Sequence, residues 1–152
     1  MKKVLIAIDY NPVSEQVAKA GHDLAKQLNA EVCLIHVLTD VSYYGMQYPS
    51  FMGYNGYNIA TEMNLSNEMR NFAEEFLKTA TDHLQDPTAG YHLAEGETDI
   101  ALLHYAQEWN ADLIVMGTHS HSTLEKLLVG TIASRVLEKT AIPVYMVPIK
   151  KK

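Results

Sequence analysis

The chain has 152 residues, 47% of them hydrophobic, which suits one folded domain with a substantial core. The formal net charge is −6, and lysines and arginines are scattered apart from Lys150-Lys151-Lys152 at the end, so the broad basic face of a nucleic-acid-binding protein is missing. No apolar run approaches the roughly 18–20 residues needed to span a bilayer.

The apolar run at residues 4–8 follows two lysines and stops at Asp9 without a small-residue cleavage site, which favours a strand over a signal peptide. Four more short apolar runs lie at residues 32–37, 90–94, 113–116 and 143–147, and the run at residues 90–94 is the weakest. Near-continuous runs of this kind are typical of strands covered on both faces. We therefore expect a cytoplasmic α/β protein that binds neither nucleic acid nor a membrane.

Between the runs, apolar residues recur at the three- and four-residue spacing of amphipathic helices. The four stripes are Val17, Gly21, Leu24 and Leu28; Leu65, Met69, Phe72, Phe76, Ala80 and Leu84; Ile100, Leu103 and Ala106; and Ile132, Ala133, Val136 and Leu137. Asn11-Pro12 is a good cap and first-turn pair for the first helix, and Thr98 is the expected N-cap of the third.

The alternation β-α-β-α-β-α-β-α-β predicts an open parallel five-stranded sheet with helices on both faces. With right-handed crossovers we expect the strand order 3-2-1-4-5 and one domain over residues 1–152. The first and fourth strands then lie side by side, and ligands of such sheets bind beyond the carboxyl ends of the strands at that switch point. Asp9 and Gly117 follow those two strands.

One segment departs from this pattern, a long tyrosine- and glycine-rich loop expected at residues 39–63. Its tyrosines can stack on a base, form a partner surface or simply pack on one another, and spacing alone does not separate these alternatives. The one cysteine, Cys33, lies in an apolar run and is expected to be a small core residue.

A second candidate loop starts at Gly117 after the fourth strand and ends at Gly130-Thr131, which open the last helix. Glycines let backbone N–H groups approach a phosphate closely, a helix N-terminus adds unpaired N–H donors, and the Thr131 hydroxyl can donate as well. The plainer alternatives are a tight turn at Gly117 and ordinary helix capping at Gly130. The position at the switch point favours phosphate binding.

The chain resembles the universal stress protein family over essentially its whole length. The resemblance is carried by Val4-Leu5-Ile6-Ala7-Ile8-Asp9, Leu34-Ile35-His36-Val37, Ala111-Asp112-Leu113-Ile114-Val115-Met116-Gly117-Thr118-His119, Val129-Gly130-Thr131-Ile132-Ala133, Arg135-Val136-Leu137 and Ile142-Pro143-Val144. It implies an adenine nucleotide alpha hydrolase-like fold and a stress-response protein that binds ATP, with or without Mg²⁺. It also implies a homodimer formed through the last strand.

The nucleotide-binding branch of that family carries the motif G-x2-G-x9-G-[S/T], which here reads Gly117, Ser120, Gly130 and Thr131. Serine replaces the middle glycine, and positive φ at Ser120 would cost on the order of 1 kcal/mol. The resemblance implies that Asp9 meets the ribose or a metal-bound phosphate and that Val37 offers backbone groups to the adenine. The full implied nucleotide set is Ile8, Asp9, Tyr10, Val37, Met116, Gly117, His119, Ser120, Gly130, Thr131 and Ile132.

Each of these assignments has a structural alternative: core packing for Val37 and Met116, and helix capping for Asp9. His119 and His121 form an H-x-H pair, but two ligands do not make a zinc site, and no metal site is expected. His22, His83, His92 and His104 have no partner that the sequence suggests. No residue stands out as a general base, so any ATP hydrolysis or autophosphorylation is expected to be slow and no catalytic residue is assigned.

The leading hypothesis is a nucleotide-binding regulatory protein. The alternatives are a dimeric interaction protein that works without nucleotide, suggested by Ser120 and the tyrosine-rich loop, and a slow ATPase or autokinase. The protein partner is not readable from the sequence.

Overall fold

The computed structural model describes residues 2–39, 59–118 and 130–149, with side chains from residue 66 onward in the second helix. In these ranges strands and helices alternate. They are β1 (Lys3–Ala7), α1 (Ser14–Gln27), β2 (Glu31–Leu38), α2 (Ile59–His83), β3 (Gly90–Glu95), α3 (Thr98–Glu108), β4 (Leu113–Gly117), α4 (Thr131–Lys139) and β5 (Val144–Val147).

The five strands form one parallel sheet in the order β3-β2-β1-β4-β5, which confirms the predicted fold. In the central strand, Ile6 pairs with Leu34 of β2 on one side and with Val115 of β4 on the other. The switch point therefore lies between β1 and β4, as the predicted strand order requires.

Helices cover both faces of the sheet, and successive strand residues supply the two cores. Ile6 packs with Val17 of α1 and Leu77 of α2 on one face. Leu5 packs with Leu102 of α3 and Val136 of α4 on the other. Double burial explains why the strands read as continuous apolar runs. The second core also holds Cys33, which confirms its predicted place; burial raises the pKa of this thiol to about 11.

Two predicted helix caps were wrong. Asn11 and Pro12 belong to a turn before α1, in which the Asn11 carbonyl accepts from the Ser14 amide at 2.9 Å, so the helix begins only at Ser14. Thr98 is the first residue of α3, and the cap is Glu97, whose backbone is extended (φ −73°, ψ 131°). The cap of α1, Val13, lies two residues after the predicted Asn11, and the cap of α3 lies one residue before the predicted Thr98.

The predicted loop at residues 39–63 was too long, because α2 begins at Ile59. Residues 59–63 read Ile-Ala-Thr-Glu-Met and contain no glycine or proline, so nothing in them opposes extension of the helix. The tyrosines of that loop lie outside the described residues.

The predicted buried stripes were right only in part, because some of their residues are buried and others are exposed. The buried ones are Val17, Gly21, Met69, Ala106, Ala133 and Val136. The outermost large residues of the stripes are about half exposed: Leu28, Phe72, Ile100 and Leu137. In α3 the buried positions are Asp99, Leu102 and Ala106. The helix packs against the sheet through the small Ala106. The buried Asp99 carboxylate is stabilised by the Lys139 ammonium, which donates to it at 2.6 Å.

None of the helices in the described ranges is both long and apolar enough to cross a bilayer. The single domain over residues 1–152 and the cytoplasmic location stay predictions.

Candidate functional site

The carboxyl ends of β1 and β4 lie side by side at the centre of the sheet. Because Ile6 pairs with Val115, the residues three positions further on, Asp9 and Thr118, come to the same level at this edge. Most of the predicted set gathers here or on the flanking elements: Ile8, Asp9 and Tyr10 after β1, Val37 in β2, Met116 and Gly117 in β4, and Gly130, Thr131 and Ile132 at the start of α4. His119 and Ser120 lie outside the described residues.

Asp9 is held by the turn that precedes α1. Its Oδ1 accepts from the Asn11 amide at 2.9 Å and from the Ser14 hydroxyl at 2.8 Å. Its own amide donates to Ser14 Oγ at 3.0 Å. The helix-capping alternative is not realised, because the N-cap of α1 is Val13 and the helix has no side-chain cap hydrogen bond; Oδ1 instead holds the turn before the helix. Both of these hydrogen bonds to the carboxylate use the same oxygen, and within the described ranges none reaches Oδ2, the oxygen that could face a ligand.

Gly117 and Gly130 are joined through Thr118, whose carbonyl oxygen accepts from the Gly130 amide at 2.6 Å. Gly130 is the N-cap of α4 in an extended conformation (φ −67°, ψ 164°) and makes no side-chain cap. The first amides of any helix have no partner within it, so those of Thr131 and Ile132 are directed out of the helix end. An uncapped helix N-terminus with this partial positive charge suits an anion.

The side chains of three predicted residues belong to the core. Ile8 is buried on the α1–α2 face, whereas Val37 and Met116 are buried on the α3–α4 face. The backbone of Val37 is better placed for binding. The Ile8 amide donates to the Ile35 carbonyl at 2.9 Å, so Val37, two residues on, directs its backbone groups to the same side, beyond the end of β1.

An aromatic cluster that the sequence did not predict borders this edge. The Tyr10 ring lies 4.6 Å from His36, 5.2 Å from Phe72 and 4.9 Å from Phe76, measured between ring centroids. His36 Nδ1 donates to the Ile8 carbonyl at 3.0 Å and so fixes the chain just before Asp9. Burial lowers the pKa of His36, which keeps the ring neutral. The four-residue spacing of Phe72 and Phe76 was visible in the sequence, but their partner was not.

A groove of about 890 Å³ runs from Ile8 and Tyr10 between α1 and α2. Two histidines for which the sequence suggested no partner line this groove. His22 contacts Asp86 at 2.9 Å, and His83 contacts Glu15 at 3.5 Å.

The other two histidines also have contacts. His104 lies 3.8 Å from Glu108, and the His92 ring stacks on Tyr105 at 3.8 Å between centroids. Asp86, the residue that His22 contacts, accepts hydrogen bonds from Thr88 and His22, and these bonds lower the pKa of Asp86 to about 2. In the described part of the chain no group of three or more His, Cys, Asp or Glu side chains could hold a metal ion.

Comparison with known proteins gives a consistent answer. The model of the universal stress protein family matches residues 1–148. Universal stress protein MJ0531 from Methanocaldococcus jannaschii is 29% identical over 153 residues, covering 99% of this chain and 84% of that protein. Among solved structures, hypothetical protein MJ0577 has a TM-score of 0.78 at 22% identity, with 99% of this chain and 98% of that chain covered. The universal stress protein from Archaeoglobus fulgidus in complex with dAMP has a TM-score of 0.64 at 20% identity, with 96% and 97% covered.

Proposed function

The chain belongs to the universal stress protein family, and from that membership and the geometry of the site we propose that it binds an adenine nucleotide, ATP, at the carboxyl edge of β1 and β4. Nucleotide occupancy then regulates which partners the protein meets in a stress response. A related structure with dAMP bound supports the choice of an adenine ligand.

One observation carries the proposal: Asp9, Gly117 and the uncapped end of α4 meet at a single edge. The β1–β4 register brings Asp9 level with Thr118, and the Thr118 carbonyl holds the Gly130 amide at 2.6 Å. A nucleotide needs an acceptor for its ribose hydroxyls and N–H donors for its phosphates. The Asp9 carboxylate is such an acceptor, and the first amides of α4 are such donors at the same edge of the sheet.

The proposed roles follow from the chemistry of each group. Asp9 Oδ2 accepts from the ribose or meets a Mg²⁺-bound phosphate. Val37 offers backbone groups to the adenine edge, and Met116 supports the base from the core beneath. The phosphates bind to the loop that starts at Gly117 and to the N-terminus of α4, and Ile8 and Tyr10 flank the ribose. The residues that contact the phosphates are Gly117, His119, Ser120, Gly130, Thr131 and Ile132.

Titration calorimetry tests the proposal, together with analysis of nucleotide released when the purified protein is denatured. Asp9→Asn keeps the oxygen that accepts from Asn11 and Ser14 but removes the charge, so we expect ATP affinity about tenfold lower, or about 1.4 kcal/mol. Glu138→Gln, at an exposed acid in α4, is the matched control and should bind like the wild type. A wild-type protein that releases no nucleotide and gives no heat at millimolar ATP overturns the proposal and favours a nucleotide-independent interaction protein.

We propose further that the chain forms a homodimer through β5. This strand lies at the edge of the sheet, and its Tyr145 is 45% exposed. Exposed apolar edges are usually covered or paired. Tyr145→Lys should shift the protein to a monomer in size-exclusion chromatography with light scattering. Tyr91→Lys, at a 40% exposed position on the opposite edge strand, is the matched control, and equal loss of the dimer in both variants would contradict this interface.

A further inference from the structure

Thr118 uses three different groups to join three segments of the chain. Its amide donates to the Val147 carbonyl at 3.1 Å, and its carbonyl accepts from the Gly130 amide at 2.6 Å. Its hydroxyl oxygen accepts from the Ile149 amide at 3.1 Å. One residue thus ties the end of β4 to the start of α4 and to the chain that leaves β5.

Packing reinforces the same connection. A Cβ added at Gly117 would lie 3.2 Å from Ile149 Cδ1 and 3.0 Å from Val17 Cγ2, so Ile149 lies directly over the bare Cα of the glycine. The segment after β5 is therefore in contact with the first residue of the proposed phosphate site as well as hydrogen-bonded to the next one.

The two ends of this connection have separate proposed roles. Gly117 and Gly130 bound the nucleotide site, whereas Val144–Val147 form the exposed edge strand. If Gly130 moves relative to Gly117, the Thr118 carbonyl that accepts from its amide is displaced as well. Because the Thr118 hydroxyl belongs to the same residue, that displacement reaches Ile149 through its hydrogen bond.

We propose that Thr118 couples occupancy of the nucleotide site to the pairing strength of β5, so that the nucleotide sets the dimer affinity through this residue. The inference rests on the proposed function. Such coupling is reciprocal: if ATP strengthens the dimer by a given factor, dimerisation strengthens ATP binding by the same factor.

The first test needs no nucleotide. Thr118→Val keeps the β-branched shape and both backbone bonds but leaves the Ile149 amide without its acceptor, whereas Thr118→Ser keeps the hydroxyl. In the apo protein we expect amide hydrogen exchange at both Ile149 and Gly130 to be about tenfold faster in Thr118→Val and unchanged in Thr118→Ser. Faster exchange at Ile149 alone would show that the two segments are independent and would overturn the coupling.

The second test measures the dimer dissociation constant by sedimentation with and without ATP. In the wild type and Thr118→Ser, ATP should change this constant by about 5- to 150-fold, the usual range of allosteric coupling. In Thr118→Val the change should fall below about twofold while calorimetry still detects ATP binding, because the backbone donors remain.

The outcomes separate this inference from the proposed function. A wild type that binds ATP with an unchanged dimer constant, or a Thr118→Val variant with full coupling, overturns the inference alone. A wild type that is monomeric with and without ATP overturns the proposed homodimer through β5 and the coupling with it. A wild type that binds no ATP overturns the proposed function and the coupling with it.

Discussion

Gly21 of α1 lies against Ile6 of β1 so closely that an added Cβ would come 2.7 Å from Ile6 Cδ1 and 2.9 Å from its Cγ1. Replacing a mid-helix glycine by alanine ordinarily stabilises a helix by about 1 kcal/mol. Here the methyl would enter a closed core, since Ile6 is fully buried, and overpacking costs about 1–3 kcal/mol. With the helix gain subtracted, we expect Gly21→Ala to lower the free energy of urea unfolding by up to about 2 kcal/mol.

Gly90→Ala is the control for that variant, because a Cβ at Gly90 meets nothing within 4 Å. Its unfolding free energy should stay within about 0.5 kcal/mol of the wild type. If Gly21→Ala proves more stable than the wild type, α1 can move off the sheet and the contact with Ile6 does not limit its position.

The sequence predicted the sheet well because the central strands are buried on both faces and therefore read as short, nearly continuous apolar runs. It predicted the helix faces less well, because the stripes included the small Gly21 and Ala106 but extended to large residues that lie half exposed. Gly21 and Ala106 allow close approach, while the larger Leu28 and Ile100 lie half exposed. Hydrophobicity alone favours the large residues, but the distance between helix and sheet is set by the small ones.

The candidate site likewise has residues whose positions could be predicted and contacts that could not. The positions of Asp9, Gly117 and Gly130 could be predicted because each lies at or next to the end of an element that faces the switch point. The contacts of Thr118 and the Tyr10–His36–Phe76 cluster could not, because they join residues far apart in sequence. Such pairs appear only once the strand register brings the segments together.

Ser14 fixes both the backbone and the carboxylate of Asp9, through bonds of 3.0 and 2.8 Å. Ser14→Ala removes both, and we expect a loss of about 1–2 kcal/mol in chemical unfolding, since each net hydrogen bond is worth about 1 kcal/mol. If the proposed function holds, ATP affinity should fall as well, because Asp9 loses its orientation. Ser14→Thr retains the hydroxyl and should recover most of both losses; a Ser14→Ala variant as stable as the wild type would contradict a positioning role.

The Asp99–Lys139 pair joins α3 to α4 through an almost fully buried carboxylate and a half-exposed ammonium. Lys139→Met leaves that carboxylate without its donor, so stability at pH 7 should fall by about 1–3 kcal/mol. Lys139→Arg, which keeps the charge, should fall less, and Lys26→Met, at an exposed lysine of α1, should change little.

The same pair makes a pH-dependent prediction. The hydrogen bond from Lys139 lowers the pKa of Asp99, so the folded state gains stability from the ionised form above the unfolded pKa, near 3.8. That gain is lost as the pH falls through the folded value. The difference in stability between the wild type and Lys139→Met should therefore be full at pH 7, begin to shrink near about pH 4 and disappear only once the pH is below the folded pKa of Asp99. A difference that persists unchanged in acid would show that packing, and not charge, accounts for it.

His36 gives a pH dependence of the same sign in a higher range. Burial lowers its pKa below 6.5, against the opposing effects of the hydrogen bond to Ile8 and the charge of Asp9. Between the folded and unfolded pKa values the unfolded chain binds the proton more readily, so acidification below pH 6.5 destabilises the fold. His36→Asn can still donate to the Ile8 carbonyl but does not titrate. In urea unfolding between pH 7.5 and 5, the wild type should lose up to about 1.4 kcal/mol per pH unit more than this variant.

The exposed His83 provides the control, because His83→Asn should leave the pH slope near that of the wild type. His92, whose pKa is also lowered by burial, is present in all three proteins, so its own titration cancels in the comparison. Equal slopes for the wild type and His36→Asn would mean that the imidazole accepts a proton in place. The aromatic cluster around Tyr10 would then have to accommodate a charged ring next to Asp9, and neutral His36 could no longer be the reason that the end of β1 is fixed.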